Sequence, residues 1–335
     1  MRVAFHTLGC KVNQYETEAL KESFKSRGYE ITAEDGLADV YIINTCTVTS
    51  LADRKSRQYI RRARKKNPES IVVVTGCYAE IRPGEASDIE GVDIVIGNKS
   101  KMDIPGCLEE FMKSGRLSGP PRGAGEYFET GAFPEMESRA RAFIKVQEGC
   151  NRFCSYCIIP YARGELKSRP LDRIINEAQF FINNGFKEIV LTGINTALYG
   201  AEEGFSGGYG IEGVVKGLNS LDGDFRIRLS SLEPTVIDAD YVKKLFMYEK
   251  LCHYMHLSLQ SGSDRILGSM NRKYNIGQYM KIIRALKDFD PDYGISADMI
   301  VGFPGESADD FKRSLEIVRQ VDFCKIHVFK YSGFK

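Results

Sequence analysis

VAFHTLGCKVNQYETEALKESFKSRG, residues 3–28, sets how the chain begins to fold. Its first eight residues are largely apolar and end in a cysteine, as a buried strand does. The rest places Tyr15, Ala19, Leu20 and Phe24 at the spacing of one helical face and stops at Gly28. The unit then recurs. VYIINTCTV (40–48) reads as a second strand, followed by a polar helix over about 50–66 that Asn67-Pro68 stops. IVVVTGCY (71–78) and VDIVIGN (92–98) supply a third and a fourth strand. Such alternation calls for parallel strands with helices as crossovers. The expected fold class is α/β, with residues 1–114 as a doubly wound parallel sheet of flavodoxin-like type.

Residues 115–141, GRLSGPPRGAGEYFETGAFPEMESRAR, cluster glycine and proline without periodicity and read as a linker. A second alternating series fills 142–335, with strands expected at 143–150, 188–195, 225–233, 253–261, 295–303 and 325–332. Six β/α units are too few for a closed eight-stranded barrel. An open partial (β/α)6 barrel is expected, its site at the C-terminal strand ends and the glycine-rich 199–210 on the same rim.

With 335 residues, 43% hydrophobic and 27% charged, the composition is that of an ordinary globular protein of two domains. No apolar run reaches the roughly 18 residues that a membrane span needs, and the N-terminus lacks the pattern of a signal peptide. A cytoplasmic chain without a membrane partner is expected. In that compartment disulfides are rare, so nine cysteines point first to metal or cluster ligation, with buried core thiols as the alternative. Cys10, Cys46 and Cys77 each end an expected strand, the edge where open parallel sheets gather ligands. They either converge or are three separate buried thiols. Cys107, Cys252 and Cys324 read as structural.

A second set is local. EGCNRFCSYCIIPYARG (148–164) spaces Cys150, Cys154 and Cys157 as C-x3-C-x2-C, just past the first strand of the barrel. Structural zinc wants a fourth ligand, and none is near in sequence. Three thiolates suit a 4Fe-4S cluster with one iron left open to a small molecule. Phe153 and Tyr156 are expected to shield it from water. Four histidines in the whole chain give no support to a histidine-centred hydrolytic site.

At Cys150, Cys154, Tyr156 and Cys157 the sequence resembles the radical S-adenosylmethionine (SAM) superfamily. TLGCKVNQYETE, NTCTVT, VTGCY, LTGINTALYG, RLSSLEP, LSLQSGSDRIL and DMIVGFPGES, in that order around the cluster motif, narrow the likeness to the methylthiotransferases over almost the whole chain. The resemblance implies two 4Fe-4S clusters. One, on Cys150, Cys154 and Cys157, binds SAM, and an auxiliary one sits on Cys10, Cys46 and Cys77. It implies SAM cleavage to a 5′-deoxyadenosyl radical, sulfur delivery from the auxiliary cluster, and methylation by a second SAM. Such chemistry belongs to cofactors that the protein positions. Tyr156, Thr192, Gly193, Asn195, Ser230, Ser231, Glu233, Gln260 and Asp298 are the expected SAM-pocket residues. Each could instead be a polar strand-end cap.

T-L-G-C-K-V-N-Q-Y-E-T-E resembles the branch acting on N6-threonylcarbamoyladenosine (t6A) at position 37 of tRNA, more than the isopentenyladenosine or ribosomal-protein aspartate branches. The implied partners are a tRNA anticodon loop, a low-potential electron donor and a sulfur source. LADRKSRQYIRRARKK (51–66) adds eight Lys or Arg against one Asp, a local +7 that leaves −6 for the remainder. A basic helix of this kind can track phosphates or simply face solvent. A two-cluster electron carrier and a non-catalytic RNA scaffold are the competing classes. The resembled family continues past YSGFK into a small β-barrel RNA-binding domain, so a chain ending there is expected to hold both clusters yet bind tRNA weakly.

Overall fold

Arg2–Thr7 (β1), Glu30–Thr32 (β2), Val40–Thr45 (β3), Ile71–Gly76 (β4) and Ile94–Val95 (β5) form one parallel sheet in the order β2-β1-β3-β4-β5. That is the flavodoxin-like order, with its reversal beside β1. The computed structural model describes residues 1–115, 117, 140–206 and 210–333. The chain divides into two compact units, Met1–Glu137 with Tyr161–Gly164, and Ser138–Pro160 with Glu165–Lys335. The stretch read as a linker lies outside the described residues, apart from Gly115, Leu117, Ala140 and Arg141.

Both faces of the first sheet are covered, which makes it doubly wound. On one face Leu20 and Phe24 of the helix Lys11–Ser26, with Ile104 and Leu108 of Ile104–Ser114, pack on Val3, Phe5, Ile42 and Val73. On the other, Ile60 and Ala63 of Ser50–Lys66 pack with Tyr41, Ile43, Val72 and Val74. Alternate residues of one strand thus feed opposite cores, as the period of two requires. β3 is buried at all six positions, so its run of apolar residues carries no polar alternation. The strands are shorter than expected at their C-terminal ends. β1 stops at Thr7 and β3 at Thr45, while Cys77 already opens the helix Cys77–Ile81. The cysteines therefore lie just beyond the strands.

In the second unit Arg141–Glu148 (β6), Lys167–Ser168 (β7), Glu188–Gly193 (β8) and Arg226–Leu229 (β9) form a sheet ordered β7-β6-β8-β9. Ser231–Leu232 (β10), Tyr254–Leu257 (β11), Gly294–Val301 (β12) and Lys325–Lys330 (β13) form another, ordered β10-β11-β12-β13. The two sheets run on through Ser230, and a parallel bridge pairs Ile227 with Leu251. Apart from the antiparallel two-residue β7, all pairings are parallel. The result is an open six-stepped half-barrel. The third expected strand, 225–233, is broken at Ser230 into β9 and β10.

Candidate active site

The first thiol site grows from adjacent strands. Thr7 of β1 stands opposite Asn44 of β3, and Thr45 of β3 opposite Gly76 of β4. Cys10, Cys46 and Cys77 follow those ends on three neighbouring strands. Two glycines make the approach possible. Gly9 has φ +99°, and a Cβ there would lie 2.8 Å from Cys46 Cβ and 2.9 Å from its Sγ. Gly76 has φ +96°, and a Cβ there would lie 2.3 Å from the Thr45 carbonyl oxygen. Only glycine takes such a φ without strain and leaves that room.

A buried polar frame holds the turns. Asn13 Nδ2 donates to the Leu8 carbonyl at 2.7 Å and the Thr45 carbonyl at 3.0 Å. Asn44 Nδ2 donates to the Asn13 carbonyl and to Thr17 Oγ1, both at 3.0 Å. Thr45 Oγ1 donates to the Thr75 carbonyl at 2.5 Å. One side chain thus ties the turn before Cys10 to the turn before Cys46. Burial pushes Cys46 up to about 12 and raises Cys10, while the Arg163 guanidinium works the other way on both. The Cys77 thiol adds to the rise at each, so the three thiols feel one another.

The second site lies on the loop after β6. Gly149 and Phe153 both take positive φ, +72° and +47°. Cys157 N–H donates to the Cys154 carbonyl at 2.9 Å, and Ser155 donates through N–H to Met270 O at 3.1 Å and through Oγ to Ser269 O at 2.9 Å. Burial pushes Cys157 up to about 12 and raises Cys150 and Cys154. Tyr156 packs on Ile266, Met270, Ile300 and Phe303. Phe153 has a left-handed backbone and is 54% exposed.

Glu233 organises the polar wall. Its carboxylate accepts from Asn195 Nδ2 at 2.8 Å, Arg152 Nε at 3.2 Å, Arg272 Nη1 at 3.1 Å and Thr235 Oγ1 at 3.0 Å. Gln147 Oε1 accepts from Asn195 N–H at 2.8 Å, while its Nε2 donates to the Glu148 and Gly149 carbonyls. That side chain locks the loops after β6 and β8 together. Thr192 is buried at the end of β8, with Gly193 against Gln147. Ser231 supplies a carbonyl to Thr196 Oγ1 at 2.9 Å. Gln260 lies past β11 with φ +65° and is bridged to Met299. Asp298 meets His256 Nε2 at 3.1 Å. Asn195 and Glu233 are therefore hydrogen-bonded to each other, with Asn195 favouring the thiolate of Cys150, whereas Asp298 is joined to His256. Arg152 and Arg272 are additions that no spacing in the sequence announces, since they are brought in by the tertiary fold. The three remaining cysteines sit apart: Cys107 is in the core of the first unit, Cys252 N–H donates to Ile227 O at 2.8 Å before β11, and Cys324 Sγ donates to Ile295 O at 3.1 Å.

Among the described residues no three His, Cys, Asp or Glu side chains are placed to hold a single metal ion. Three thiols in the C-x3-C-x2-C spacing of Cys150, Cys154 and Cys157 are the donor type that holds an iron-sulfur cluster. The site also has polar capacity in reserve. Among the described residues Ser230 Oγ and Arg272 Nε are buried without a hydrogen-bond partner, as groups that await a ligand are.

The sequence matches two family descriptions. Residues 2–97 fit "Uncharacterized protein family UPF0004" and residues 144–318 fit the radical SAM superfamily. The threonylcarbamoyladenosine tRNA methylthiotransferase MtaB of Bacillus subtilis is 41% identical over 98% of this chain and 73% of its own length. The protein of the same name from Aquifex aeolicus is 40% identical over 99% of this chain and 80% of its own. The structure of the radical S-adenosylmethionine methyltransferase TsrM from Kitasatospora setae shares the fold, with a TM-score of 0.70 at 13% identity over 98% of this chain and 72% of that one. The chain belongs to the radical SAM methylthiotransferase family. It is an enzyme that uses SAM and an iron-sulfur cluster.

Proposed function

We propose that this enzyme converts t6A at position 37 of tRNA to 2-methylthio-t6A. The observation that carries the reading is the pairing of two three-thiol sites, each at the C-terminal edge of a parallel sheet. One has the spacing of a SAM-binding cluster and the other is built around Gly9, Gly76 and Asn13. The two relatives quoted above, both named for threonylcarbamoyladenosine tRNA, support the choice of substrate.

We assign a 4Fe-4S cluster to Cys150, Cys154 and Cys157 and a second to Cys10, Cys46 and Cys77. When bound, the first supplies reductive cleavage of SAM and the second holds the sulfur to be inserted. The chain's own residues do the rest. Loading either site releases protons from its thiols. Ser230 Oγ and Arg272 Nε offer hydrogen bonds to SAM, together with Thr192, Gly193 and Ser231 at the neighbouring strand ends. Gln260 and Asp298 line the barrel further along. Glu233 pairs with Arg152 and Arg272 and fixes the Asn195 side chain. Tyr156 excludes water from the cluster face.

The basic helix is the tRNA contact in this reading. Asp53, Ser56, Ile60 and Ala63 face inward, leaving Arg54, Lys55, Arg61, Arg62, Lys65 and Lys66 exposed. Such a row positions phosphates, and specificity comes from an extruded base. A low-potential electron donor, a sulfur source and a cytoplasmic location, where thiols stay reduced, complete the assignment. Among the described residues no helix is long and apolar enough to cross a membrane.

Mass analysis of nucleosides after anaerobic incubation with SAM, reductant and each tRNA tests the substrate. A methylthio product on t6A tRNA alone is expected. Product on isopentenyladenosine tRNA alone would transfer the enzyme to the other branch.

A further inference from the structure

A cleft with about 420 Å³ of space, open to solvent, lies beside the basic helix of the first unit. Strand residues such as Ala4 and Ile43 give it an apolar lining. The His6 imidazole stacks on the Tyr59 ring there, with centroids 3.4 Å apart and planes 25° apart. Arg62 and Lys66, one turn apart on Ser50–Lys66 and both exposed, bring positive charge to it. Glu34 and Asp35, from the loop after β2, bring carboxylates.

His6 carries the informative atom. Its Nδ1 meets the Glu34 carboxylate, and an ionised carboxylate only accepts, so Nδ1 holds the proton. Burial lowers the His6 pKa below its ordinary value, against the pull of Glu34. The neutral ring then presents Nε2 as an acceptor. Among the described residues that nitrogen is buried without a hydrogen-bond partner. Buried polar atoms are normally paired, so an orphan one lining a cleft marks a place for a ligand's donor. Asp35, exposed on its loop, is a second acceptor. The chemistry that fits is a flat ring bearing N–H donors and joined to an anion. A nucleotide has that form, and among the four RNA bases guanine alone sets two N–H donors, N1–H and N2–H2, side by side.

We infer that this cleft is a second nucleotide site, which takes an unpaired guanosine of the bound RNA with its base against His6, Tyr59 and Asp35 and its phosphate on Arg62 and Lys66. The inference rests on the reading of the basic helix as the tRNA contact. Phosphate contacts set register, whereas base contacts carry sequence. The cleft gives that helix a base to read, held by stacking as unpaired bases are. Its lining residues include no cysteine, so it is separate from the nucleoside that is modified.

The test uses the full chain, reconstituted anaerobically, and single-stranded uridine heptamers with or without one central guanosine, which carry equal charge. Fluorescence anisotropy at several salt concentrations reads affinity. The guanosine heptamer should bind more tightly than the all-uridine one. Tyr59→Leu should weaken it roughly 5- to 150-fold, the worth of one base stack, without changing the salt slope, and Tyr59→Phe should restore it. Asp35→Asn, on an exposed loop, should erase the guanosine preference. Equal affinity of the parent for both heptamers, or a preference that survives Asp35→Asn, overturns the inference. Should Tyr59→Leu melt early, Asp35→Asn and Tyr59→Phe decide. Free GMP that binds more tightly than the guanosine heptamer would assign the cleft to a free nucleotide and overturn the RNA site. Arg61→Ala, on the same helix outside the cleft, separates the two claims: an unchanged salt slope there removes the helix as an RNA contact, whereas a reduced slope with no guanosine preference removes the cleft alone.

Discussion

Gly9 lies so close to Cys46 that a single methyl group on it would fall 2.8 Å from Cys46 Cβ. This contact joins two strand ends that are 37 residues apart in sequence and explains why glycine precedes cysteine in TLGC.

Gly9→Ala is expected to lose iron from the first thiol site while keeping the second. The strained φ alone costs on the order of 1–3 kcal/mol, and the clash with Cys46 adds to it. Iron content after reconstitution, compared with that of Cys10→Ala, checks this. Unchanged iron and unchanged melting temperature would show that the turn tolerates a side chain.

Glu233→Gln should destabilise the second unit by about 3 kcal/mol, because Arg272 loses its buried carboxylate partner. Weaker SAM binding should follow as Asn195 is released. Thermal denaturation and equilibrium binding of SAM measure the two effects. A variant as stable as the parent would mean that Arg272 is balanced elsewhere.

The basic helix separates two kinds of arginine. Arg64 is half-buried and donates to Gly91 O, Ser70 O and Asp93, so Arg64→Ala should lower stability and change tRNA binding little. Arg61→Ala and Arg62→Ala should do the reverse, each reducing the slope of log affinity against log salt by roughly 0.7–0.9. Filter binding at several salt concentrations reads the slope. Equal slopes for all three variants would place the tRNA on another face.

Much of this was legible because it is local. Strand-helix alternation gave the class of both units, and the Cys150–Cys157 spacing needs no tertiary information. The placement of Cys10, Cys46 and Cys77 just past three neighbouring strands of one sheet was readable from their strand-end positions, since parallel neighbours bring such ends together. β2 escaped notice because three residues, Glu30–Thr32, make no periodic pattern. β7, of two residues, escaped for the same reason. The φ of +47° at Phe153, in a cysteine loop, is not visible in the letters. Glu16, Lys101 and Arg163 are separated by up to 147 positions. Each looks like an ordinary surface charge until the fold buries them together.

The division of labour between the two thiol sites is the centre of the account. Its most direct test measures 5′-deoxyadenosine and methylthiolated nucleoside together, with t6A tRNA, for Cys10→Ala and Cys154→Ala. Cys10→Ala should still cleave SAM and yield no methylthio product, whereas Cys154→Ala should give neither. Methylthio product from Cys10→Ala, or loss of SAM cleavage in it, would contradict the account.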